Sequence, residues 1–138
     1  MAPRDTGTGA VLEKMILPAL DRGGYSYQTQ VRIGTRLGGG AHVVDIVAQK
    51  AGAVFLVSMK WQQVSGTAEQ KVPFEVICLE EALKIGKFQC AYLVLGGDGW
   101  KLRTFYTSGG LDQYLKCSGR VNILTLEGFI AKANMATL

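Results

Sequence analysis

The chain has one histidine, His42, and only three cysteines, Cys78, Cys90 and Cys117, at wide spacing. A single histidine excludes a zinc nuclease built on several of them, and leaves only His42 for a Ser-His-Asp triad. No nucleophile elbow is present. An odd number of distant cysteines is neither a disulfide framework nor a zinc site, and fits a reducing compartment. No apolar run reaches the roughly 18 residues of a membrane span. Met1–Asp5 leads into Thr-Gly-Thr-Gly, not into an apolar signal segment. The expectation is a cytoplasmic protein with no membrane partner. Repeats and low-complexity segments are missing too. With 138 residues, 48% of them hydrophobic, the chain can bury one core. One domain over residues 1–138 is expected, with residues 1–8 flexible. A net charge of +4 is mild support for a nucleic-acid partner, but many proteins with this charge bind none.

What is there is organised around the stretch from His42 to Glu75. His42–Val47 and Ala53–Trp61 are β-branched and aromatic-rich, which predicts two strands. Lys50-Ala51-Gly52-Ala53 suits a four-residue hairpin loop. That loop sets Gln49 opposite Val54, Asp45 opposite Ser58 and Val43 opposite Lys60. Side chains alternate along a strand, so Asp45, Ser58, Lys60 and Gln62 would share one face. Asp45 and Lys60 would be diagonal neighbours, roughly 7–8 Å apart at the backbone. A charge buried among apolar strands is costly unless it is paired or binds a metal. The rival to a functional site is therefore an ordinary ion pair at a strand end.

The remaining elements follow in order. Val11, Leu12, Met15 and Ile16 recur at helical spacing, with a kink or early end expected at Pro18 and a stop at Gly23-Gly24. Tyr25–Ile33 alternates as a first strand. Gly34–Gly40 holds four glycines but lacks the Gly-Lys-Ser/Thr ending of a P-loop and precedes a strand. Thr67 to Gln70 has N-cap spacing, and Val72, Val76, Leu79 and Leu83 mark a helix that runs to about Lys84 and ends at Gly86. Gln89–Gly97 is nearly all apolar, as in a strand covered on both faces. Trp100–Thr107 and Leu111–Lys116 read as short helices or irregular cover. Val121–Leu126 is a last strand and Glu127–Ala133 a closing helix. The expected fold is α/β: a mixed central sheet of four to five strands with helices on both faces.

An Asp on one strand, an acid-x-Lys on the next and a helix after it resembles the PD-(D/E)xK nucleases, whose fold is restriction-endonuclease-like. The likeness covers roughly residues 7–98. Ser58-Met59-Lys60 departs from the common form, because a serine stands where an acid is usual. It is similar to the variant that takes its second acid from the following helix. Fourteen residues separate Lys60 from Glu75, and Glu69 is the competing acid.

The resemblance implies an Mg²⁺-dependent DNA endonuclease of small restriction-like, homing or junction-resolving type, with Mn²⁺ as a substitute. Asp45 and Glu75, with Glu13 from the first helix, would hold the metal. Lys60 would stabilise charge at the phosphate, and Ser58 and Gln62 would orient water or phosphate oxygens. Arg32, Arg36 and Lys71 would meet the DNA backbone. A duplex cut in both strands implies a homodimer or higher homo-oligomer. Bland alternatives stand beside each role: Glu13 solvated near Lys14, Gln62 a polar strand end, Lys71 paired with Glu75 on a helix surface, and the two arginines solvated on a mobile loop. A catalytically inactive nuclease-like module that binds DNA or assembles with a protein is the alternative function.

Overall fold

The β-branched and aromatic runs become five strands of one sheet: β1 (Ser26–Thr35), β2 (Ala41–Lys50), β3 (Ala53–Trp61), β4 (Cys90–Gly96) and β5 (Val121–Thr125). The computed structural model describes residues 7–64 and 66–138. Of the end expected to be flexible, residues 1–6 lie outside the described residues, and Gly7 and Thr8 open a helix. The strands lie in sequence order; β1, β2 and β3 pair antiparallel, and β3, β4 and β5 pair parallel. This is the mixed sheet expected.

Helices cover both faces. α1 (Gly7–Val11), a π-helical turn (Leu12–Ile16) and α2 (Leu17–Arg22) form one continuous N-terminal rod. Pro18 cannot donate a backbone hydrogen bond, and the wide turn just before it, with Leu17 N–H donating to Leu12 O, absorbs the defect without a break. This rod and α5 (Leu126–Asn134) bury Ile16, Leu20 and Phe129 against Ile46, Val57 and Tyr92. On the opposite face, α3 (Ala68–Leu83) and α4 (Arg103–Thr107) bury Val72, Leu79 and Tyr106 against Leu56, Leu93 and Leu95. Pro73 lies inside α3 and leaves the Glu69 carbonyl without its helical donor. The Tyr106 hydroxyl supplies one at 2.7 Å. Among the described residues, no helix is long and apolar enough to cross a membrane.

The β2–β3 hairpin keeps the expected register, Gln49 opposite Val54, but its loop is shorter. Lys50 pairs with Ala53, and the turn is the two residues Ala51 and Gly52, with φ of 52° and 86°. Two successive positive φ values are those of a type I′ turn, whose twist matches the strands it joins.

The face pattern of β1 and β2 reverses midway. Ile46 and Ala48 pack under α5, whereas Val44 and Val47 pack under α3. In β1, Tyr27 packs on the α5 side and Val31 and Ile33 on the α3 side. A regular strand would keep Val44 with Ile46, and Tyr27 with Val31. The reversal sits at Gln30 and Asp45, which drop out of the ladder between Thr29↔Ile46 and Val31↔Val44. Gln30 has φ of 53°. The outer half of the ribbon thus folds over toward α3.

Candidate active site

Glu75 lies on the apolar stripe of α3, between Val72, Val76 and Leu79, so the packing that buries the helix carries a carboxylate inward. It is 2% exposed. Strand alternation in β3 turns Leu56, Ser58 and Lys60 toward the same helix. Ser58 Oγ donates to Glu75 Oε2 at 2.9 Å, and Lys60 Nζ lies 4.0 Å from Oε1. The folded-over end of the β1–β2 ribbon adds two more groups. Arg36 Nη1 donates to Oε1 at 2.9 Å, and His42 Nε2 lies 3.6 Å from Oε2. The His42 separation is too long for a hydrogen bond. His42 is 1% exposed, and among the described residues its Nε2 has no hydrogen-bond partner.

Burial favours the neutral form of Glu75, but the His42 imidazole, the Lys60 charge and the bonds from Arg36 and Ser58 outweigh it and hold the carboxyl down at about 2. Asp45 is shifted the other way. Burial raises its pKa more than the Met59 N–H bond, the Gln30 contact and the Lys60 charge lower it, and the Glu75 charge raises it further. Its Oδ2 accepts from Met59 N–H at 2.7 Å, and Oδ1 faces Gln30 Nε2 at 3.4 Å. The backbone of β2 has left the ladder at this point, and the Asp45 side chain satisfies the β3 amide in its place.

Five of the sequence-derived candidates therefore gather here: Asp45, Ser58, Lys60, Glu75 and Arg36. Arg36 faces inward onto Glu75 instead of outward from its loop. Four others do not join them. Gln62 is buried and fully engaged: Nε2 donates to Gly99 O at 2.8 Å, and Oε1 accepts from Ala68 N–H at 2.9 Å. It caps the start of α3, where Thr67 makes no side-chain cap. Among the described residues, Glu13 is exposed on the π turn and has no hydrogen bond or ion pair with either acid. Arg32 is exposed and donates to Gly34 O. Lys71 is exposed, and the rival Lys71–Glu75 surface pair does not form. Glu69, the competing acid, instead accepts from the backbone N–H groups of Lys101 and Leu102. Sequence reasoning missed the approach of His42 and Arg36 to Glu75. The lone histidine at a strand start was the available signal for the first; for the second there was none.

The sequence matches the family model described as a PD-(D/E)XK nuclease superfamily domain over residues 4–137. The chain belongs to that superfamily. As a superfamily member it is nuclease-like. No curated protein matches the sequence. Among solved structures it is similar to the protein of unknown function AF1548, with 10% identity, a TM-score of 0.48, and coverage of 80% of this chain and 54% of that one. It is also similar to the small subunit of the heterodimeric restriction endonuclease R.BspD6I, with 18% identity, a TM-score of 0.45, and coverage of 78% and 57%. The chain thus spans little more than half the length of either.

The donor set suits the divalent cation that such nucleases typically use. Asp45 and Glu75 offer hard oxygens, and each carboxylate oxygen retains a lone pair beyond its present hydrogen bond. Burial is the main cause of the raised Asp45 pKa, and the Glu75 charge adds to it. Among the described residues, no group of three or more His, Cys, Asp or Glu is arranged to hold a metal. Two carboxylates, completed by water and phosphate oxygens, are a common way of holding Mg²⁺.

Proposed function

We propose that this chain is an Mg²⁺-dependent DNA endonuclease that hydrolyses phosphodiester bonds, with Mn²⁺ as a working substitute. The observation that carries the reading is the meeting of Glu75 from α3 with Ser58 and Lys60 from β3, beside an Asp45 whose charge is under-compensated. When bound, the metal supplies Lewis-acid activation of the phosphate and of a water. Asp45 and Glu75 would be its protein ligands. Lys60 is a quarter exposed, so its ammonium reaches solvent and meets the charge that builds on a phosphate oxygen. Ser58 orients Glu75 through its hydroxyl. The nuclease domain works as a homodimer or higher homo-oligomer where both strands of a duplex are cut. Three free thiols support a reducing, cytoplasmic setting.

The test is cleavage of supercoiled plasmid, genomic DNA and a four-way junction with Mg²⁺. Wild type is expected to cut at least one. Asp45→Asn and Glu75→Gln are expected to cut none, and Lys60→Ala to lose roughly 10²–10³-fold in rate while still binding DNA. Undiminished cutting by Asp45→Asn overturns the reading. The Arg36–Glu75 ion pair favours one second reading, a nuclease-like module that binds DNA without cutting it. DNA binding with no cleavage of any substrate supports that module.

A further inference from the structure

Glu75 cannot serve a metal well while a guanidinium holds one of its oxygens. Arg36 Nη1 sits 2.9 Å from Oε1, close to where a cation ligated by that oxygen would stand. The Arg36 side chain is 27% exposed against 2% for Glu75, so solvent and large ligands reach the guanidinium first.

The backbone beneath Arg36 lets the side chain leave without loss of core. Arg36 N–H donates to Gly40 O, and Gly39 N–H donates to Arg36 O, so a closed turn holds the main chain. The turn itself is unpacked: a Cβ at Gly38, Gly39 or Gly40 would meet nothing within 4 Å. The guanidinium gives one hydrogen bond to a single carboxylate oxygen, and its other close polar neighbour is the Cys78 thiol. A DNA phosphate offers it a two-pronged, doubly charge-assisted contact. Lys60 stays beside Oε1 when Arg36 departs, so Glu75 is not left as an isolated buried charge.

Resting on the proposed nuclease reading, we propose that Arg36 is a phosphate-released latch on Glu75. With no DNA bound, it occupies the metal-ligand carboxylate. A backbone phosphate draws it off and frees Glu75 for the cation. Metal and DNA then bind with positive coupling, and each strengthens the other by the same factor.

The experiment is calorimetric titration of Ca²⁺, as a non-cleaving probe, into wild type, Arg36→Ala and Arg36→Gln, with and without a short mixed-sequence duplex. Arg36→Gln keeps a hydrogen-bond donor for Glu75 and serves if the alanine variant fails to fold. Both variants are expected to bind Ca²⁺ about tenfold more tightly than wild type without DNA. The duplex, whose phosphate oxygens also ligate the cation, is expected to tighten Ca²⁺ binding to wild type about tenfold more than to either variant. Variants that bind Ca²⁺ no better than wild type, or that keep the full gain from DNA, overturn the latch and leave the metal site standing. If Ca²⁺ binds no form of the protein, or binds Glu75→Gln equally well, the metal site and the latch fall together.

Discussion

The two acids at the site have opposite surroundings. Glu75 has four donors or cations pressed on it and is held ionised, with its carboxyl at about 2. Asp45 has one backbone N–H, a long glutamine contact and a more distant ammonium, and its pKa is raised. On the α3 side the neighbours of Glu75 outweigh its burial, whereas on the β2 side burial outweighs the partners of Asp45. A cation placed between them would relieve Asp45 but would have to displace part of the Glu75 cage. The contrast therefore separates a charge-compensated carboxylate from one whose burial outweighs its partners.

The largest effect expected from breaking this contrast is at Glu75. Glu75→Ala leaves Arg36, Lys60 and His42 around an empty position, and is expected to cost about 3–5 kcal/mol in chemical denaturation. A loss under about 1 kcal/mol would mean the cage is not stabilising.

Acid titration sharpens the same point. The folded-state pKa of Glu75 lies below its ordinary value of 4.5, so its stabilisation is complete above pH 4.5 and fades as pH falls toward about 2. A shift of that size is worth about 3 kcal/mol. Denaturation midpoints of wild type and Glu75→Gln, followed downward from pH 5, are expected to converge. Parallel curves would contradict the assignment.

Asp45 should respond in the opposite sense. Its raised pKa means that ionisation costs stability as pH rises through the carboxylate range, a cost absent in strong acid. Asp45→Asn retains an acceptor for Met59 N–H and removes the charge. It is expected to raise Tm by a few degrees near neutral pH without metal, and to make no difference at low pH. A lower Tm near neutrality would show that Asp45 is instead a structural ion-pair partner. The smallest effect belongs to Gln62, whose role is to cap α3: Gln62→Ala is expected to lose about 1 kcal/mol with metal affinity unchanged.

Much of this was legible from local pattern. The hairpin register held because the two-residue turn is centred where the four-residue loop was expected, and the helical stripe around Glu75 ranked it above Glu69. The strict alternation assumed along β2 put Asp45 on the Lys60 face. It did not foresee that the ribbon reverses face at Gln30 and Asp45, because a ladder break that keeps register, with Gln30 at a positive φ, leaves no mark in the sequence periodicity. Arg36 was read as pointing outward, since nothing local ties a loop arginine to an acid 39 residues later. Gln62 looked like a strand-end polar group; its two amide bonds depend on a loop and a helix start that only tertiary packing brings together.

The most direct test of the central claim is Tm as a function of Mg²⁺ for wild type, Asp45→Asn and Glu75→Gln. A cation that binds only the folded state raises Tm with concentration. The account predicts a rise for wild type and none for either variant. An equal rise in Asp45→Asn, or a flat wild-type response, would contradict the pairing of these two acids into one cation site.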